Sequence, residues 1–192
     1  MSILALTSNT LVTAAAGQIE YDGQFFATDS NASRAQMQRI VRTTAVNSTS
    51  GTSIDFTGIP AWVEKITVIF QGVSLSSTAQ ILVQLGTGST TYTTSGYLST
   101  SAAVSGTTSV SNVSSGFNIR TDGAAQLVSG TMTIVNITGN SWVSSHSTKQ
   151  STTTAMFGAG DVALGAVLTA VRITSTSTDT FDLGTINIIY EG

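Results

Sequence analysis

The stretch that most constrains the fold is residues 53–85, SIDFTGIPAWVEKITVIFQGVSLSSTAQILVQL. From Lys65 to Gln71 apolar and polar positions alternate, with Ile66, Val68 and Phe70 on one side and Lys65, Thr67 and Gln71 on the other. A period of two is the signature of a strand with one buried face. Ile81, Val83 and Leu85 repeat it after a Gly/Ser-rich connection. Ahead of both lies Pro60, the single proline, with Trp62 beside it. Proline fixes φ and donates no backbone hydrogen bond, so it belongs at a corner. Trp62 is then placed to plug one end of a β-sandwich.

Further strands are expected at 96–99, 107–110, 116–119, 127–138, 142–147, 153–157, 167–174 and 181–191, with a bulge at Ser129-Gly130. Near the N-terminus, Ile19–Tyr21 and residues 25–27 flank Asp22-Gly23, a dipeptide that favours a tight hairpin turn. Residues 1–16 have no firm period and read as an extended arm. Residues 32–38 are open to a turn of helix, and 39–46 suit a strand. Charged residues are only 9% of the 192, while 41% are hydrophobic. Ser, Thr and Gly fill the gap, a composition poor for helices and good for short strands and turns. No βαβ alternation is present. The expected fold is all-β: an antiparallel β-sandwich, jelly-roll-like, with an N-terminal extended arm and β-hairpin. The expected division is residues 1–45, an attachment and trimerisation arm, and 46–192, the sandwich.

Composition also weighs against several functions. The seven basic residues are mostly isolated and the net charge is −3, so nucleic-acid binding through phosphate neutralisation has little support. There is no cysteine and one histidine, His146, which leaves few ligands for a zinc site. No apolar run reaches the length of a membrane span, and the segment before Ala14-Ala15-Ala16 lacks the basic residue of a signal peptide. No cofactor is expected. The Gly-rich runs at 86–89 and 158–161 lack the lysine of a phosphate-binding loop and read as turns. Asp179 with Asp182, and Asp55 with Glu64, are the acids a glycosidase pairing would draw on; they equally suit turns and strand ends. No Gly-x-Ser-x-Gly elbow accompanies His146. The chain therefore reads as non-enzymatic.

Two surface roles remain. Tyr92, Tyr97, Trp142 and His146 sit among Ser and Thr and suit glycan contact, since aromatic faces stack on sugars; the same side chains also suit a core. Ile19, Tyr21, Phe25, Phe26 and the outward Ile69 are candidates for a subunit interface. Ile189 is likewise expected to face outward.

Three segments carry a resemblance. Ile19-Glu20-Tyr21-Asp22-Gly23, followed by Phe25, Thr28 and Arg34, resembles a segment common in phage tail-fibre and related structural proteins, with Phe26 where tyrosine is usual. Residues 54–68 and 180–191 are similar to opening and closing strands of a β-domain in phage virion proteins. The resemblance implies a homotrimeric surface appendage: a short, non-enzymatic fibre or knob assembled in the host cytoplasm. It would attach to tail or capsid proteins and possess a domain facing host-surface glycans. A capsid decoration protein or head spike is the alternative, and a glycan-cleaving tailspike a further one.

Overall fold

The computed structural model describes residues 13, 15–21, 25–121, 123–124 and 126–192. Among these, all regular structure is β-strand, and every strand pairing is antiparallel. The chain divides into two compact units, Met1–Arg39 and Ile40–Gly192.

The first unit is a three-stranded sheet of β1 (Ile19–Tyr21), β2 (Phe25–Thr28) and β3 (Arg34–Gln36), with β2 central. The expected hairpin pairing is observed, with Ile19 opposite Ala27 and Tyr21 opposite Phe25. The turn at Asp22-Gly23 and most of the arm (residues 1–12 and 14) lie outside the described residues. Residues 34–36 are a strand, so the helical turn left open over 32–38 does not form. The Asp29 carboxylate accepts the backbone N–H groups of Asn31 and Ser33 at 2.8 and 2.9 Å. That local closure turns the chain back onto β2 and competes with a helix. Glu20 and Arg34 form an ion pair at 2.5 Å that spans β2.

The second unit opens with β4 (Ile40–Arg42) and β5 (Val46–Asn47), then β6 (Ile54–Thr57), β7 (Lys65–Leu75) and β8 (Ile81–Gly86). β9 (Leu98–Val104), β10 (Thr108–Val113), β11 (Phe117–Ile119), β12 (Val128–Thr138) and β13 (Ser141–Lys149) follow. β14 (Ala155–Ala163), β15 (Ala170–Ser175) and β16 (Phe181–Glu191) complete it. Both β4 and β5 pair with β16, so the run expected to straddle a boundary at 45/46 joins the sandwich. The observed division lies between Arg39 and Ile40.

One sheet has nine strands, in the order β10-β9-β14-β13-β12-β7-β16-β4 with β5 also on β16; the other is β11-β8-β15-β6. The pairings nest: β5 with β16, β6 with β15, β7 with β12, β8 with β11. Successive strands alternate between the two sheets, as if one long hairpin were rolled up. The hairpins β9–β10 and β13–β14 interrupt it, and both extend the larger sheet beyond β12.

One hydrophobic core lies between the sheets, built from alternate residues of both. Ile66, Val68 and Phe70 of β7 are buried in it with Met132 and Ile134 of β12 and Ile186 and Ile188 of β16. Each such side chain contributes roughly 1.5–3 kcal/mol relative to exposure. Trp62 is partly buried against this core, its ring 5.8 Å from that of Tyr190. The register of β12 against β7 shifts between Val128 and Gly130, where the bulge was expected. That of β16 against β7 shifts around Leu183 and Gly184.

Residues 158–161 lie inside β14 and are not a turn. Gly158 opposes His146 and Ser101, and Gly160 opposes Ser144 and Ser99. A Cβ on Gly158 would meet the His146 ring and come within 2.5 Å of the Thr100 carbonyl oxygen. On Gly160 it would come within 2.7 Å of the Leu98 carbonyl oxygen. These glycines mark close approach within a strand rather than chain reversal.

Candidate functional site

The four aromatic and imidazole side chains expected at a glycan contact do not come together. Tyr97 is 1% exposed. Its ring packs edge-on against Phe117 at 5.0 Å, and its hydroxyl oxygen accepts the Leu85 backbone N–H at 2.7 Å. Burial pushes its hydroxyl pKa up to about 12. Trp142 is buried in the core on β13. His146, two turns of the pleat along the same strand, is 6% exposed. All three are corrections to the sequence expectation, because their side chains are buried in the folded chain. In a sandwich with so few large aromatics, burial claims them first.

Tyr97→Phe gives a direct test of the first correction. It leaves the Leu85 N–H buried without its partner, at a cost of about 1–3 kcal/mol. Chemical denaturation should show that loss as a lowered midpoint with an unchanged slope. An unchanged midpoint would mean that the Leu85 N–H finds another acceptor.

His146 belongs to a buried polar layer. Its Nε2 lies 3.1 Å from the Ser101 hydroxyl oxygen. That oxygen also accepts the Arg120 backbone N–H at 3.0 Å, and the neighbouring Ser99 hydroxyl oxygen accepts the Asn118 N–H at 2.9 Å. The two serines of β9 thus satisfy backbone donors at and just beyond the edge of β11, across the sandwich. Desolvation lowers the His146 pKa to about 4, with the Asn118 backbone pulling the other way. The imidazole is therefore neutral near pH 7. A Ser–His contact alone is half of a nucleophilic site, and this one is closed to solvent.

Tyr92 is the one member of the set that stays at the surface. It follows β8, pairing by a single bridge with Gly86. The Arg172 guanidinium of β15 sits 4.0 Å from the centre of its ring. The same guanidinium makes a two-pronged ion pair with Asp55 of β6, at 2.8 and 2.7 Å. Tyr92, Arg172 and Asp55 form a stack on the outer face of the smaller sheet, and one face of the tyrosine is already occupied. The Tyr92 hydroxyl pKa is raised, by burial first and then by the Asp55 charge. This stack joins residues far apart in the chain and leaves no local sequence signal.

Of the acids considered for hydrolysis, Glu64 is exposed and the other three serve neighbours instead. Asp55 holds Arg172, Asp179 accepts the Ala79 backbone N–H at 2.8 Å, and Asp182 accepts the Ser74 hydroxyl. No group of three or more metal-ligating side chains is found among the described residues.

The candidates for a subunit interface fall on two surfaces. In the first unit Ile19 and Phe25 are exposed, while Tyr21 and Phe26 are half-buried. The Tyr21 and Phe25 rings lie 5.1 Å apart. In the second unit Ile69 is half-buried on the outer side of β7, level with Asn187 and Thr131. Ile189 is also half-buried. A scan against protein-family models, a search of curated proteins and a search of solved structures each returned no match to this chain.

Proposed function

We propose that this chain is a non-enzymatic structural protein of a phage virion surface, a short homotrimeric fibre or knob that contributes to host attachment. The observation that carries this reading is the two-part build. A small separate sheet presents exposed Ile19 and Phe25, and a jelly-roll-like sandwich follows it. Sandwiches of this wrapping recur in viral capsids and lectins. Within the residues 19–34 that resemble tail-fibre segments, the Glu20–Arg34 ion pair ties the first and third strands of the small sheet. The small unit would mount the protein on tail or capsid proteins. Glycan contact, if it uses the set proposed from sequence, rests on Tyr92. Three copies would raise avidity without tight single sites.

A capsid decoration protein is the second reading. The breadth of the nine-stranded sheet favours it, because a wide face suits lying on neighbouring subunits. Antibody-gold labelling of purified particles, combined with copy number from quantitative mass spectrometry, tests both. Label at the tail with a few dozen copies supports the fibre, and label over the head with hundreds supports decoration. Absence from the particle contradicts both.

A further inference from the structure

In a two-layer sandwich the inward face of each strand is apolar and the outward face polar. β9 reverses this, and β14 is apolar on both faces, with Met156 and Val162 buried in the core. On β9 the buried residues include Ser99 and Ser101, while Leu98 and Val104 face outward at 71% and 42% exposure. On β14 Phe157 faces outward, 50% exposed, level with Ala102 of β9. Beyond it on β10 stands Val110, 56% exposed and opposite Ala102. A shift of one residue in register would turn these side chains inward. Donors from β11 and its end instead hold the serines inward, through the Ser99 and Ser101 hydroxyl bonds. The apolar side is left outside by construction.

We propose that this outer face of the larger sheet, centred on Phe157, Leu98 and Val110, is where a second copy of this chain docks. The proposal rests on the self-associating reading above and names the surface used. Area and charge select the occupant. Six strands from β7 to β10, at about 4.8 Å spacing and some seven to eight residues long, present on the order of 700 Å². That is close to the roughly 800 Å² each partner contributes to a stable interface. Between the Lys65–Glu191 pair at one border and β10 at the other, the middle of this face carries Thr67, Thr131, Thr133, Ser145 and Ser147. Copies can meet here only if they do not repel. The outward charges are sparse: Lys149 stands at one end of β13 and Asp161 at the other end of the adjoining strand, opposite Val143. Single charges of opposed sign at opposite ends leave no like-charge cluster to hold a second copy off.

Light scattering on the full chain, wild type against Phe157→Glu, is the test, with Val167→Glu as the control. Val167 is also about half exposed but lies outside the strands of this face. The expected result is an oligomer for wild type and Val167→Glu, and a monomer for Phe157→Glu. An oligomer that survives Phe157→Glu overturns this face while leaving self-association intact. A wild-type monomer also overturns it, and the virion assignment is then decided separately by particle labelling. Thr100→Cys provides a second readout if Phe157→Glu does not fold. The chain has no other cysteine, and Thr100 is exposed on the same face. Maleimide labelling of that thiol should slow about fivefold when total protein is raised from far below its dissociation constant to about ten times that value. A rate independent of concentration in an oligomeric sample would mean that this face stays open to solvent, or that a glycan or other virion protein covers it instead, and sinks the proposal.

Discussion

Gly184→Ala is expected to destabilise the sandwich by about 3–5 kcal/mol, a loss large enough to threaten folding of an ordinary domain. Gly184 sits at the irregularity where β16 leaves register with β7, and its φ is +101°. An L side chain rarely adopts that conformation, and the strain alone costs about 1–2 kcal/mol. The added Cβ would also stand 2.5 Å from the Gly72 carbonyl oxygen and 2.6 Å from the Val73 Cα. Those are backbone atoms of the central strand, so relief requires moving β7 itself. β7 joins β12 to β16, and its inward residues anchor the core. Calorimetry should show the variant melting far below wild type or already unfolded. A shift of only a degree or two would mean that β7 yields locally and that the bulge is not a fixed point of the fold.

The second large effect is acid sensitivity from one residue. His146 is the single histidine, so titration between pH 6.5 and about 4.5 is largely its own. Its pKa is lowered from 6.5 to about 4 in the folded chain. The unfolded chain therefore takes up the proton first as pH falls. Stability is full above pH 6.5, declines as pH drops through the window from 6.5 to 4, and levels below it. The total loss is about 3 kcal/mol, because each tenfold difference in proton affinity between the folded and unfolded chains is worth about 1.36 kcal/mol. Urea denaturation at steps between pH 7.5 and 4 measures the slope. His146→Gln should flatten it, whatever the cost of the substitution at pH 7. A wild-type curve flat from pH 7 to 5 would mean that the imidazole is hydrated or finds an acceptor when charged.

How much of this was legible in the sequence depends on charge. Residues 65–71 alternate between apolar and polar, and β7 buries the apolar set as read. β16 occupies the span 181–191 that the pattern gives, and the bulge near Gly130 falls where Ser129-Gly130 places it. Alternation defines two faces of a strand, but only polarity says which is outside. Along Leu98–Val104 polarity alone would turn Leu98, Ala102 and Val104 inward and Ser99 and Ser101 outward, yet the structure has the opposite. Nothing local corrects this, because the deciding bonds come from Asn118 and Arg120, about 19 residues away. Gly158 and Gly160 mislead for a related reason. Glycine marks turns and close approaches alike, and only the neighbours across the sheet distinguish them, the His146 ring at Gly158 and the Leu98 carbonyl at Gly160. Tyr97, Trp142 and His146 look like surface contacts amid Ser and Thr, since with 9% charged residues polar surroundings no longer signal solvent. The Tyr92–Arg172–Asp55 stack exists only once β6 and β15 pair.

The molar mass of the full chain in solution bears most directly on the claim that this chain is a self-associating trimer. Light scattering after size-exclusion chromatography should give about three times the 19.7 kDa of one chain, unchanged on dilution into the low micromolar range. A monodisperse species at the mass of a single chain would contradict it.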